Sequence, residues 1–177
     1  MQRRRALPLR LPPGVRVMTL LLLLLLLIGP FLVLTLIGRW LPGTKFTPPT
    51  RARVGVSLFF TVTAVGHFLQ AEAMSAMLPP AIPYRLGLIH LTGILELLGA
   101  IGVWLPRVMR LTGVCLMLML VVFLPVNIYS AIYRVEFGGH GSGPAYLLLR
   151  IPFQLFVIGW VYYATEQQWV GGRPGGA

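Results

Sequence analysis

Few side chains in this sequence could do chemistry, and most of them fall inside apolar segments. Glu96 is the sharpest case. It is one of four acidic residues, all glutamate, and it stands in the middle of "HLTGILELLGAIGVWLP", residues 90–106. A carboxylate at the centre of a membrane helix is costly; insertion scales give about 2.5–3.5 kcal/mol for a central Asp. Glu96 must therefore be protonated, paired or wetted. Arg150 is the natural ion partner and His67 the second, while Gln154 and Asn127 could donate hydrogen bonds. His67 and Gln70 are three apart and follow Thr63, so they share one helical face, as do Arg150 and Gln154. Asn127 and Tyr129 follow Pro125 at the end of another apolar run. Gly93, Glu96, Gly99 and Gly102 recur every third residue, a stripe without bulk along which a neighbouring backbone can approach. This places Glu96 toward a bundle interior.

The same residues have plainer readings. Intramembrane polar groups act as interhelical glue, worth about 0.6 kcal/mol each on average. Arg150, near a helix end, could snorkel to the headgroups. His90 reads as structural or interfacial, and His140, in a Gly-rich stretch, as solvated. His67 and His90 sit at similar depth on consecutive segments and could ligate a haem axially, but two coincident histidines are thin support and haem is not expected. With one cysteine, Cys115, there is no intrachain disulfide and no CxxC, and no metal site is expected; Cys115 reads as a small buried hydrophobe. No Gly-rich phosphate loop, HExxH or GxSxG motif is present.

The elements that hold these residues are membrane spans. Of 177 residues 56% are hydrophobic and only 11% charged, against about 25% in a soluble domain. Five apolar blocks can cross a bilayer, which takes about 20 residues. They run from about Val17 to Ile37, Val54 to Leu69, Leu86 to Leu105, Met109 to Val126 and Tyr146 to Ala164. Before them lies a basic segment, residues 1–16, and after them a Gly-rich tail, 166–177, expected to be flexible. Three prolines in "PPAIP" forbid helix between the second and third blocks. The short link "LPRVMR" makes the third and fourth an antiparallel hairpin. The first block resembles a signal peptide, yet it runs on through Pro30 without a small-x-small cleavage site and reads as an uncleaved helix.

The charge of +11 comes from arginines at the ends of the blocks, so nucleic acid is not an expected partner; the lipid bilayer is. For the last four blocks, Arg39, Lys45, Arg51, Arg53, Arg107, Arg110 and Arg173 fall on one side and Arg85, Arg134 and Arg150 on the other. Seven against three places the first group in the cytoplasm. The five basic residues ahead of the first block then lie on the wrong side; an atypical first span, the reverse orientation or a start at Met18 would each remove the conflict. On this orientation the intramembrane polarity gathers in the outer leaflet.

Residues 51–165 resemble the DoxX family of small bacterial membrane proteins. The resemblance is carried by "AVGHF", "MLPPAIP", "GILELLGAIGVWLP", "FLPVNIYSAIY" and "LRIPFQ" in order, with Gly66 shifted next to His67 and Leu124 inserted. It implies an all-α integral membrane protein: a DoxX-like four-helix transmembrane bundle over 51–165 plus an extra N-terminal transmembrane helix over 17–38. His67, Glu96, Asn127, Arg150 and Gln154 fall on the family's polar motif positions. Relatives are linked to a thiosulfate:quinone oxidoreductase subunit and to thiol or oxidative stress, which implies a redox-associated role beside a membrane or soluble redox partner. The expectation is then a multi-pass protein of the bacterial inner membrane. His67, Gln70, Glu96, Asn127, Tyr129, Arg150 and Gln154 would form an outer-leaflet pocket for a quinone or a lipid-like ligand. Catalysis by this chain alone is left open. The alternatives are a non-catalytic scaffold or subunit of a redox complex, and a small transporter that would have to act as an oligomer.

Overall fold

The computed structural model describes residues 13–40 and 46–166; every described element is helical. The basic segment up to residue 12, Lys45 and nearly all of the C-terminal tail lie outside the described residues. Six α-helices follow in order: α1 Pro13–Trp40, α2 Pro48–Leu69, α3 Ala71–Ser75, α4 Arg85–Gly102, α5 Met109–Ile132 and α6 Leu147–Thr165. Two 3-10 turns, His140–Ser142 and Pro144–Tyr146, precede α6. All but α3 are long and apolar enough to cross a membrane.

Local chemistry sets the helix ends. Pro48 and Pro49 occupy the first turn of α2, where a missing N–H costs nothing, and the Thr47 hydroxyl accepts from Thr50 N. Residues 76–84, with Pro79, Pro80 and Pro83, form turns, and Tyr84 enters α4 in the left-handed region at φ 51°. The short helix α3 was not anticipated. Likewise α5 does not stop near Val126 but continues through Pro125 to Ile132. Pro125 lies on an exposed face, and membrane helices tolerate the one backbone bond it removes.

Helices α2, α4, α5 and α6 pack in a closed ring, α2 against α4, α4 against α5, α5 against α6 and α6 against α2. Val56, Phe60, Ala100, Val103, Leu116, Val157 and Val161 fill its centre. The glycine stripe of α4 serves two neighbours. A Cβ on Gly93 would come within 2.8 Å of His67 Cβ on α2, whereas Gly99 and Gly102 admit Leu116 and Thr112 of α5. The pairing of 99 with 116 and 102 with 112 makes α4 and α5 antiparallel. Helix α1 lies outside the ring. Its Leu27 is fully buried, its backbone there sits against Gly55, and Phe31 meets Trp160 edge to face at 5.4 Å. Its other face, with Leu21, Leu25, Leu32 and Leu36, is exposed and suits lipid.

Buried polarity is not confined to one end. Arg53, near the start of α2, is 8% exposed and lies 5.8 Å from the Trp104 ring. Trp104 donates to Ser57 at 2.6 Å, and Ser57 to the Ala100 carbonyl at 2.8 Å. Cys115 is exposed on α5 rather than buried, because α5 turns that face away from the ring.

Candidate functional site

His67 is held in the last turn of α2 against α4. Its Nδ1 lies 3.0 Å from the Ile89 carbonyl and 2.9 Å from Thr92 Oγ1, and its Nε2 lies 3.7 Å from Glu96 Oε1. The Thr92 hydroxyl itself donates to the Ile89 carbonyl at 2.8 Å. Glu96 is 3% exposed, and its second oxygen has no hydrogen-bond partner. Arg150 enters from α6, its guanidinium 5.9 Å from the Phe153 ring and its Nε inaccessible and unpartnered. No ion pair joins Arg150 to Glu96 among the described residues, so the natural partner expected from the sequence is replaced by His67. The reason is position: Gly93 lets α2 come close enough to bring His67 to Glu96.

A second polar chain runs beside the first. Gln154 donates to the Leu120 carbonyl, Asn127 Nδ2 donates to Gln154 Oε1 at 2.9 Å, and His140 Nε2 lies 3.2 Å from Asn127 Oδ1. A carbonyl only accepts, so Leu120 fixes the Gln154 amide, which in turn fixes Asn127 with its oxygen toward His140. His140 is therefore not solvated as its Gly-rich setting suggested. It is 2% exposed, bonds the Phe137 carbonyl through Nδ1 at 2.9 Å and packs edge-on against Tyr146. Gly138, Gly139 and Gly143, all at positive φ, let the loop fold inward, and a Cβ on Gly139 would strike the Tyr146 ring. Both His140 nitrogens face acceptors, which favours the imidazolium, but burial pushes the imidazole pKa below its usual value. The Phe137 carbonyl opposes that shift and the nearby Arg150 charge adds to it.

Two cavities meet at these residues. The larger, about 310 Å³, is walled by Met74, Met77, Leu78, Ile82, Leu88, Ile89, Val122, Phe123 and Val126, with His67, Thr92, Asn127 and Arg150 as its polar groups. The smaller, about 80 Å³, lies deeper among Leu23, Phe59, Thr63, Glu96, Gln154 and Val157. Arg150 and Phe123 line both. The volume of the larger is at the small end of ligand sites, and its balance of apolar wall and few polar groups is theirs.

Five of the seven residues singled out in the sequence, His67, Glu96, Asn127, Arg150 and Gln154, thus gather around these cavities. Gln70 and Tyr129 do not. Gln70 caps α2 through its backbone and is exposed, since the helix ends before its side chain can turn inward. Tyr129 packs tilted against Tyr133, ring centroids 4.4 Å apart, on another side of α5 from Asn127. His90 stacks on Phe68 at 5.8 Å. Thr92 was missed and His140 was read as solvated; neither a lone Thr in an apolar helix nor a His between glycines carries a signal. Met74 and Met77 also wall the larger cavity. Among the described residues no cluster of three His, Cys, Asp or Glu side chains could hold a metal ion.

Fold and site together define an all-helical protein with five apolar helices, compatible with a multi-pass membrane protein, and a polar cluster buried in its bundle. The chain belongs to the family described as a domain of unknown function, DUF8561, which matches residues 56–165. No curated protein and no solved structure matches it. The DoxX resemblance is thereby corrected. The motifs that carried it are short polar marks in apolar helices, and Gly66 and Leu124 already broke two of them. The redox association inferred from that family loses its basis.

Proposed function

We propose that this protein binds a small amphipathic molecule, a lipid-like ligand or a quinone, in the cavity between α3, α4 and α5. The observation that carries the reading is the cavity's polarity: a long apolar wall ending on His67, Thr92, Asn127 and Arg150. Leu88 and Val122 flank it with 37% and 66% of their surface exposed. Both are apolar, so the mouth suits a ligand arriving from the bilayer rather than from water. The polar end would orient the head, and the methionines, being flexible, would accommodate varied chains. The bacterial inner membrane, with the arginine-rich helix ends in the cytoplasm, is part of this proposal.

The test is mass spectrometry of molecules released from protein purified in a mild neutral detergent, beside a Val126→Trp variant that fills the cavity. A stoichiometric amphiphile in the wild type, absent from the variant, supports the reading. Equal content in both contradicts it. The second reading is a non-catalytic scaffold or subunit. It is favoured by the chain Leu120–Gln154–Asn127–His140, which ties α5, α6 and their connecting loop.

A further inference from the structure

The charges around the two cavities do not balance, and this says what the ligand's head must be. The Ile89 carbonyl can only accept, and the Thr92 hydroxyl hydrogen is already committed to it. His67 Nδ1 therefore faces two acceptors and carries a hydrogen. Its Nε2 then faces Glu96 Oε1. A bare nitrogen lone pair 3.7 Å from a carboxylate is repulsive, so the arrangement favours one proton on the pair, either on His67 as an imidazolium or on Glu96 as a neutral acid. Whichever partner carries it, the pair is neutral.

That leaves Arg150 without a counterion. Among the described residues its guanidinium makes no hydrogen bond and no ion pair. Glu96 lies within its electrostatic range, but the proton on the His67–Glu96 pair offsets that charge; the other ionisable groups in range are Tyr146 and His140, and neither is an anion at neutral pH. A guanidinium is always charged and offers five donors in a fork that fits carboxylate or phosphate. Arg150 is half-buried: its Nε is shut off without a partner, and its terminal nitrogens stay open to a ligand; an unpaired charge held away from bulk water is costly. Arg150 also lines the cavity whose mouth is apolar. We infer that the occupant is an anionic amphiphile, whose carboxylate or phosphate head seats on Arg150 and whose chain leaves past Leu88 and Val122 into the bilayer. This rests on the pocket reading above and narrows its ligand.

Calorimetric titration of the full-length protein in dodecyl maltoside separates the two claims. The probes are laurate, dodecyl phosphate, dodecanol, dilauroyl phosphatidylglycerol and inorganic phosphate. Saturable binding of laurate or dodecyl phosphate is expected, with dodecanol weaker by about tenfold or more, the scale of a charge-assisted contact. Arg150→Gln should erase that difference, and Arg150→Lys should keep most of it; thermal unfolding checks that both variants fold. Laurate binding without phosphatidylglycerol binding identifies a fatty-acid source, the reverse a phospholipid source, and both satisfy the inference. Dodecanol binding as tightly as laurate overturns the anionic head but leaves the pocket standing. Inorganic phosphate binding as tightly as dodecyl phosphate overturns the amphiphile. If none of the chains binds, the pocket reading itself fails.

Discussion

Replacing Asn127 with Leu tests how much of the bundle rests on its polar chain. The Asn127 amide donates to Gln154 at 2.9 Å and meets His140 at 3.2 Å, with all three residues at 4% exposure or less. Leucine has similar volume, so the cost is polar. It strands Gln154 Oε1 and His140 Nε2, and a buried polar group left unpaired costs about 1–3 kcal/mol. Interhelical hydrogen bonds in membrane proteins fall at the low end, about 0.6 kcal/mol on average. Taken together the loss should be about 2 kcal/mol. Gln154→Leu removes the other partner, so the double variant should recover part of the summed loss, a coupling of about 1 kcal/mol. Reversible unfolding in mixed micelles measures all four corners of the cycle. Additivity within about 0.5 kcal/mol, the behaviour of independent sites, would refute the claim that the chain acts as a unit.

Four further outcomes follow from the geometry. Gly93→Val should cost about 1–3 kcal/mol, the range for overpacking, because its side chain meets His67 Cβ at 2.8 Å; unfolding measures the loss, and ligand binding should fall with it. Burial holds the His140 imidazole below its usual pKa, so the folded state takes up its proton later than the unfolded chain. Stability should therefore be full above about pH 6.5, the usual imidazole value, and fall as pH drops below it. A His140→Gln variant should lose that slope in the same unfolding assay. Gly55→Val should loosen α1 from the ring, since its Cβ would enter the Leu27 backbone; a disulfide engineered between α1 and α2 would then form less readily. Cys115, exposed on the outer face of α5, should react with an apolar maleimide in vesicles and not with a charged, membrane-impermeant thiol reagent.

Much of the architecture was readable because bilayer physics is coarse. Long apolar blocks, prolines between them and arginines at their ends locate the spans without any knowledge of packing. The inward face of Glu96 was readable for a similar reason, since a three-residue glycine stripe is visible in one dimension. The partner of Glu96 was not. Whether Arg150 or His67 reaches it depends on how closely α2 approaches at Gly93, a tertiary distance. His140 was misread because a His among glycines looks solvated, and only the positive-φ turns fold it under Tyr146. Gln70 was misplaced by a single residue: helical spacing put it on the His67 face, but α2 ends at Leu69. The family was misread because its marks are short and two of them, at Gly66 and Leu124, did not match.

The most direct test of the central claim is photolabelling in membranes with a diazirine-bearing fatty acid, followed by peptide mapping. Saturable labelling is expected, confined to segments 74–92 and 122–127, which wall the larger cavity, and displaced by unlabelled laurate. Labelling spread along the exposed faces of α1 and α5, and unchanged by competitor, would mean that the protein meets lipid only as solvent and that the cavity holds no ligand.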